Sequence, residues 1–127
     1  MITYGYTILY VEDVEKTIAF YDKAFGLTQK FITPEKDYGE LATGQTTLAF
    51  ASYKLAEHNG ISISRNATTS FEIALVTDAI ASTWERALLA GAISEAEPKK
   101  KPWGQEVGYL RDINGYLIEV CTPVVTG

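Results

Sequence analysis

The second half of the chain restarts the pattern of the first, and that restart narrows the folds open to it. Residues 4–11, YGYTILYV, are β-branched and aromatic, as strands prefer. Asp13 follows as a helix N-cap, and Val14, Ile18, Tyr21 and Phe25 recur at helical spacing while Glu15, Lys16, Asp22 and Lys23 fall on other faces. Gly26 ends this helix in a left-handed conformation. Shorter strands are predicted over 27–33, 38–43 and 46–52, with Pro34 and Thr43-Gly44-Gln45 as breaks. A stretch rich in Ser, Asn and Thr then reads as a linker over 54–69. Beyond it FEIALVT is a strand, Asp78 a cap, and Ile80, Trp84 and Leu88 a helical stripe ending near Gly91. Strands near 92–97, 105–111 and 116–122 finish the second half. Setting Tyr6 over Glu72 carries Val14 onto Ile80 and Ile18 onto Trp84, with the closing glycine one residue early. Two βαβββ modules follow, about 4–53 and 70–123, each too small to close a core alone and expected to share one within a single domain of residues 1–127. The fold class is α+β.

The end of the second module carries most of the chemistry. Asn114-Gly115 offers two residues that tolerate positive φ, so GQEVGYLR and YLIEVCT are predicted to form an antiparallel hairpin. Alternation along the last strand sends Tyr116, Ile118 and Val120 to one face and Leu117, Glu119 and Cys121 to the other. Glu119 is thus a carboxylate in an apolar strand, a position that costs stability unless the group is at an edge, in a cleft or paired. In the first strand Tyr6, Ile8 and Tyr10 share one face, an aromatic wall to which Tyr38 and Tyr109 are candidates to add.

Charge and composition exclude several classes. A formal charge of -5 and a pI near 4.8 argue against a nucleic-acid partner, which requires a basic face. No apolar run reaches the length of a membrane span. The single cysteine, Cys121, leaves no internal disulfide, and the first residues lack the basic start and apolar core of a secretion signal, so the expected location is cytoplasmic. That makes the Asn66-Ala67-Thr68 sequon irrelevant. Phosphate-loop, Ser-His-Asp and zinc-cysteine spacings are missing.

Two stretches, VEDVEKTIAFYDKAFGL in the first module and PWGQEVGYLRDINGYLIEV in the second, resemble the vicinal oxygen chelate superfamily. Its members include glyoxalase I, extradiol dioxygenases, methylmalonyl-CoA epimerase and the bleomycin, fosfomycin and mitomycin resistance proteins. The resemblance implies that each module curls its mixed sheet into half of a cup holding a ligand or metal, and that the chain pairs as a homodimer. Metal-dependent members draw ligands from the first and last strands of each module, positions that fall here on Tyr6, Ala49, Glu72 and Glu119. Ala49 offers no donor, and Tyr6 would have to ionise from a pKa of about 10. Two carboxylates without an imidazole suit hard cations completed by water.

Glu72 and Glu119 share the inward face in this alignment, so they are placed to act as an acid/base pair or to grip an ammonium or guanidinium group. Alternatively each meets an Arg, Lys or backbone donor elsewhere. Trp103 is placed to stack on a flat or cationic ligand, or to pack under a dimer partner. Trp84 reads as core, His58 as exposed in the linker, Cys121 as a small buried side chain and Lys99 to Lys101 as a solvated loop or an attractor of anions. The expected function is metal-independent binding of a small organic molecule, cationic, aromatic or antibiotic-like, by Tyr6, Ile8, Tyr10, Tyr38, Ala49, Glu72, Trp103, Tyr109 and Glu119, with no cofactor. The alternative is a glyoxalase-type lyase or isomerase in which Glu72 and Glu119 are catalytic and hold a divalent metal ion acting on a small carbonyl compound.

Overall fold

Both halves begin with a strand followed by a helix, and in each the helix starts where the repeat places it, at Val14 and at Ile80. A computed structural model describes residues 1–65 and 70–124, so the sequon at Asn66 lies outside the described residues. The chain divides into two compact units, Met1–Ala67 and Thr68–Gly127.

The first unit runs β1 (Tyr6–Val11), α1 (Val14–Phe25), β2 (Gln29–Ile32), β3 (Tyr38–Leu41), β4 (Thr47–Ser52) and α2 (Tyr53–His58). Its four strands form one mixed sheet in the order β1-β4-β3-β2, with β1 parallel to β4 and the other pairs antiparallel. The Asp13 carboxylate accepts the Lys16 N–H at 2.9 Å and starts α1, while Gly26, at φ 69°, ends it. Val14, Ile18 and Tyr21 form the buried stripe, joined by Phe20 and Ala24. Tyr21 meets Phe50 of β4 with ring centroids 5.1 Å apart, and Leu9 and Val11 of β1 are buried as well. Burial of side chains this large is worth about 1.5–3 kcal/mol each, enough to commit the helix to one face of the sheet. Gly39 allows the close approach, because a Cβ there would lie 2.5 Å from Ile18 Cδ1.

The second unit repeats the plan with β5 (Ile73–Val76), α3 (Ile80–Leu89), β6 (Ile93–Lys100), β7 (Glu106–Arg111) and β8 (Leu117–Cys121), in the sheet order β5-β8-β7-β6. Ile118 and Val120 are fully buried on the covered face, and Trp84 is core as its helical position implies. Gly108 repeats the role of Gly39: a Cβ there would lie 2.7 Å from the Trp84 ring and 3.0 Å from Pro98.

Five local expectations are corrected. The segment read wholly as linker begins with α2, because Ser52 accepts the Leu55 N–H at 3.1 Å and Ala56 is fully buried. In α3 the third buried position is Ala87, whereas Leu88 is 39% exposed: a step of seven from Ile80 returns to the same face, and a step of eight rotates past it. Asp78 does not cap α3; Thr77 Oγ1 accepts the Ala79 N–H at 3.1 Å instead. Lys99 and Lys100 belong to β6 rather than to a loop, since the strand continues past Pro98 through a register irregularity between Ala96 and Lys99. Finally, of the turn pair only Gly115 has positive φ, and the reversal is built on Asp112. That carboxylate is 2% exposed and accepts the N–H groups of Asn114 and Tyr116 at 2.8 and 2.9 Å.

Candidate functional site

Pairing register decides which side chains each sheet presents away from its helix. In the second unit Tyr109 stands opposite Glu119, Glu119 opposite Ala74, and Val107 opposite Cys121. Alternation adds Glu72, the residue before β5, and Leu117 from β8 to this open face. The expected convergence of Glu72 and Glu119 is therefore present within one unit. Tyr109 donates its hydroxyl to Glu119 Oε1 at 3.3 Å. Burial, a hydrogen bond with Glu119 and the charge of Glu119 all raise the pKa of Glu72 above the ordinary carboxylate value. A second carboxylate so close disfavours the charged form of Glu72. Burial, then the charges of Glu119 and Glu72, also push the Tyr109 phenol up, which keeps it a donor. Cys121 lies in the same row, 2% exposed, with its thiol pushed up to about 11 by burial and by Glu119. It is a buried thiol and not a thiolate nucleophile.

Trp103 stands at the β6–β7 connection, 59% exposed, and its indole Nε1 donates to Gln105 Oε1 at 2.8 Å. Among the described residues neither Glu72 nor Glu119 takes part in an ion pair.

The first unit presents a different open face. Ala49 of β4 lies between Ile8 and Glu40, and Ala51 between Tyr10 and Tyr38. Tyr6, Ile8, Tyr10 and Tyr38 thus share one side, as the alternation implies. The larger neighbours close over the small ones: Ala49 has no exposed surface. Glu40 was not singled out from sequence, although it stands two residues from Tyr38 and so on its face. Tyr38 donates to Glu40 Oε2 at 2.7 Å, and Lys30 Nζ lies 3.9 Å from Oε1. Burial and this carboxylate raise the Tyr38 pKa well beyond the ordinary phenol value, so the hydroxyl remains a donor. Phe31 lies against Tyr38 with ring centroids 5.9 Å apart.

The four chelating positions of the resemblance are thus filled by two carboxylates on one sheet and by a phenol and a sealed methyl group on the other. That donor set does not fit a four-ligand centre. Among the described residues no three His, Cys, Asp or Glu side chains are grouped to hold a metal ion. His58 lies elsewhere, in a hollow of about 570 Å³ lined also by Glu35, Lys36, Asp37 and Lys54. Two of those charges are already engaged, Lys36 with Glu15 at 2.9 Å and Asp37 with Thr33 Oγ1 at 2.7 Å.

The sequence profile of the Glyoxalase/Bleomycin resistance protein/Dioxygenase superfamily matches residues 3–120. The chain belongs to this superfamily. Among solved structures it is similar to a glyoxalase-related enzyme from Fulvimarina pelagi, with a TM-score of 0.84 and 21% identity over 97% of this chain and 89% of that one. It is also similar to TioX from Micromonospora sp. ML1, with a TM-score of 0.76 and 20% identity over 94% of this chain and 98% of that one. Lactoylglutathione lyase from Agrobacterium tumefaciens superposes with a TM-score of 0.73 at 20% identity, covering 98% of this chain and 96% of that one. At such identities the likeness is one of fold. No functionally curated protein matches the chain. No helix among the described residues is long and apolar enough to cross a membrane.

Proposed function

We propose that the protein binds a small cationic organic molecule, aromatic in part, on the open face of its second sheet and without a metal ion. The carrying observation is the carboxylate pair: Glu72 and Glu119 share a face, interact with each other, and among the described residues take part in no ion pair. A ligand ammonium or amidinium supplies the missing charge. Tyr109 orients Glu119, and the exposed Trp103 ring offers a face for stacking or a cation–π contact. Tyr6, Ile8, Tyr10 and Tyr38 form the corresponding aromatic surface of the first unit. Function by sequestration in the cytoplasm, as a homodimer, belongs to the same reading.

The rival use of the pair is to hold a divalent ion in a lyase or isomerase, an activity named for one structural relative. Thermal unfolding of metal-stripped protein separates the two. Benzyltrimethylammonium at about one hundred times its dissociation constant adds about 2.7 kcal/mol and raises the midpoint by several degrees if the proposal holds. Trp103→Ala then reduces the shift. Stabilisation instead by one of Ni, Zn, Mn, Fe or Mg ions, abolished in both Glu72→Gln and Glu119→Gln, replaces the binder with the metal-dependent enzyme.

A further inference from the structure

The Trp103 side chain is exposed, yet its orientation is determined. The backbone beneath it turns through a Gly104 N–H to Lys101 carbonyl bond and a Lys101 N–H to Gln105 carbonyl bond, both 2.8 Å, with Gly104 at φ 97°. A ring 59% exposed has too few apolar contacts to be held by packing. It is held by one amide: Gln105 Oε1 accepts from Trp103 Nε1 at 2.8 Å while Gln105 Nε2 donates to the Thr122 carbonyl at 2.8 Å.

The chemistry of the two ends leaves little choice of bridge. An indole N–H only donates and a backbone carbonyl only accepts, so the connecting side chain must accept at one tip and donate at the other. A primary amide does both. Glutamate presents two acceptors, lysine only donors, methionine neither strongly. The far anchor is itself rigid, because the Thr122 N–H donates to the Glu106 carbonyl at 3.0 Å and Thr122 Oγ1 accepts the Glu106 N–H at 2.9 Å. Gln105 precedes Val107 and Tyr109 at strand spacing, and Val107 stands opposite Cys121 and Tyr109 opposite Glu119, so its side chain belongs to the carboxylate face.

We propose that Gln105 is a positioning residue which ties the Trp103 indole to the end of β8, fixing an aromatic face beside Glu119 and thereby selecting ligands that carry a cation next to an apolar or aromatic group. The inference rests on the binding reading above. Its first consequence is independent of any ligand. With both tryptophans labelled as 5-fluorotryptophan, Gln105→Met removes both bonds and moves the Trp103 ¹⁹F line towards the unfolded position, with narrowing. Gln105→Glu keeps the acceptor for the indole, loses the donor to Thr122, and moves the line in the same direction. The Trp84 line and the unfolding midpoint stay in place, which separates loss of the tether from loss of the fold. A Trp103 line unmoved in Gln105→Met overturns the tether.

The second consequence is read with benzyltrimethylammonium as the probe. Gln105→Met weakens binding about three- to thirtyfold, the weight of one cation–π contact. Combined with Trp103→Ala it weakens binding no further than Trp103→Ala alone. Additive losses mean that Gln105 acts apart from Trp103 and overturn the assignment. If the unsubstituted protein does not bind the probe, the binding reading fails and the role in ligand choice fails with it, while the fluorine line still decides whether the tether exists.

Discussion

Tyr38 of β3 and Tyr109 of β7 each donate a hydroxyl to a glutamate on the open face of their sheet, at 2.7 Å to Glu40 in the first unit and 3.3 Å to Glu119 in the second. The surroundings of the two acids differ. Glu40 has Lys30 at 3.9 Å and sits among aromatic rings, so the chain itself compensates its charge. Glu119 has Glu72 instead, a second acid in place of a cation. On the covered faces the units agree: a helix packs down over a glycine of the third strand, Gly39 under Ile18 and Gly108 under Trp84. The repeat therefore maintains the packing that folds each unit and leaves the opposite face free to diverge, one side becoming self-sufficient and the other short of positive charge.

The covered faces provide the largest test. Gly108→Ala is expected to lower stability by about 1–3 kcal/mol, several degrees in the unfolding midpoint, because the new methyl meets a tryptophan ring and the Pro98 backbone nitrogen at 3.0 Å. Gly39→Ala costs less, since its shortest contact is the rotatable end of Ile18. A larger loss at Gly39 than at Gly108 breaks the assumed order and identifies the first unit as the more tightly packed. Next comes Asp112→Ala, expected to cost about 1–2 kcal/mol in urea unfolding, because it leaves two turn N–H groups without their acceptor.

The open faces are contrasted by charge removal. Glu119→Gln is expected to weaken benzyltrimethylammonium binding about tenfold, the scale of one charge-assisted contact. Glu40→Gln leaves it within a factor of about two, because Lys30 and Tyr38 already satisfy that carboxylate. Equal losses, measured by titration, remove the distinction between the faces.

The smallest effect is a pH dependence. The Glu72 pKa is higher in the folded chain than in the unfolded one, so between those values the folded state binds more protons. Stability at this site is therefore present below the unfolded value and declines as pH rises through the folded one. Glu72→Gln removes the decline: its midpoint matches the parent in acid and exceeds it slightly at neutral pH. A substituted chain less stable than its parent at neutral pH shows that ionised Glu72 is compensated after all.

Much of the fold was legible in the linear pattern. The helices start at Val14 and Ile80 because apolar side chains at helical spacing, bounded by strand-like runs, can bury only on one side of a sheet. The misplaced details were local choices made by three-dimensional neighbours. Leu88 and Ala87 differ as apolar candidates only when the sheet selects a face. Asp78 does not cap α3 because the helix begins one residue later than a cap there requires, with Ala79 at the N-cap and its N–H donated to the Thr77 hydroxyl. In the candidate site, Glu72 and Glu119 were visible as acids in apolar strands, and the alternation of Tyr6, Ile8 and Tyr10 was plain. Glu40 escaped notice because an acid two residues from a tyrosine looks like any exposed strand edge until Lys30 and Phe31 are brought beside it.

Sequence alone determined the repeat, the two-layer βαβββ units, the membership of the family and the parity that sends each side chain to one face. These depend on periodicities of two and 3.6 residues, which are local properties of the chain. Only the tertiary structure decided which carboxylate is neutralised and which is not, how the turn at Asp112 closes, and that a single amide at Gln105 connects Trp103 to β8. Those outcomes depend on register between strands distant in sequence, where a shift of one residue exchanges the two faces and every partner with them.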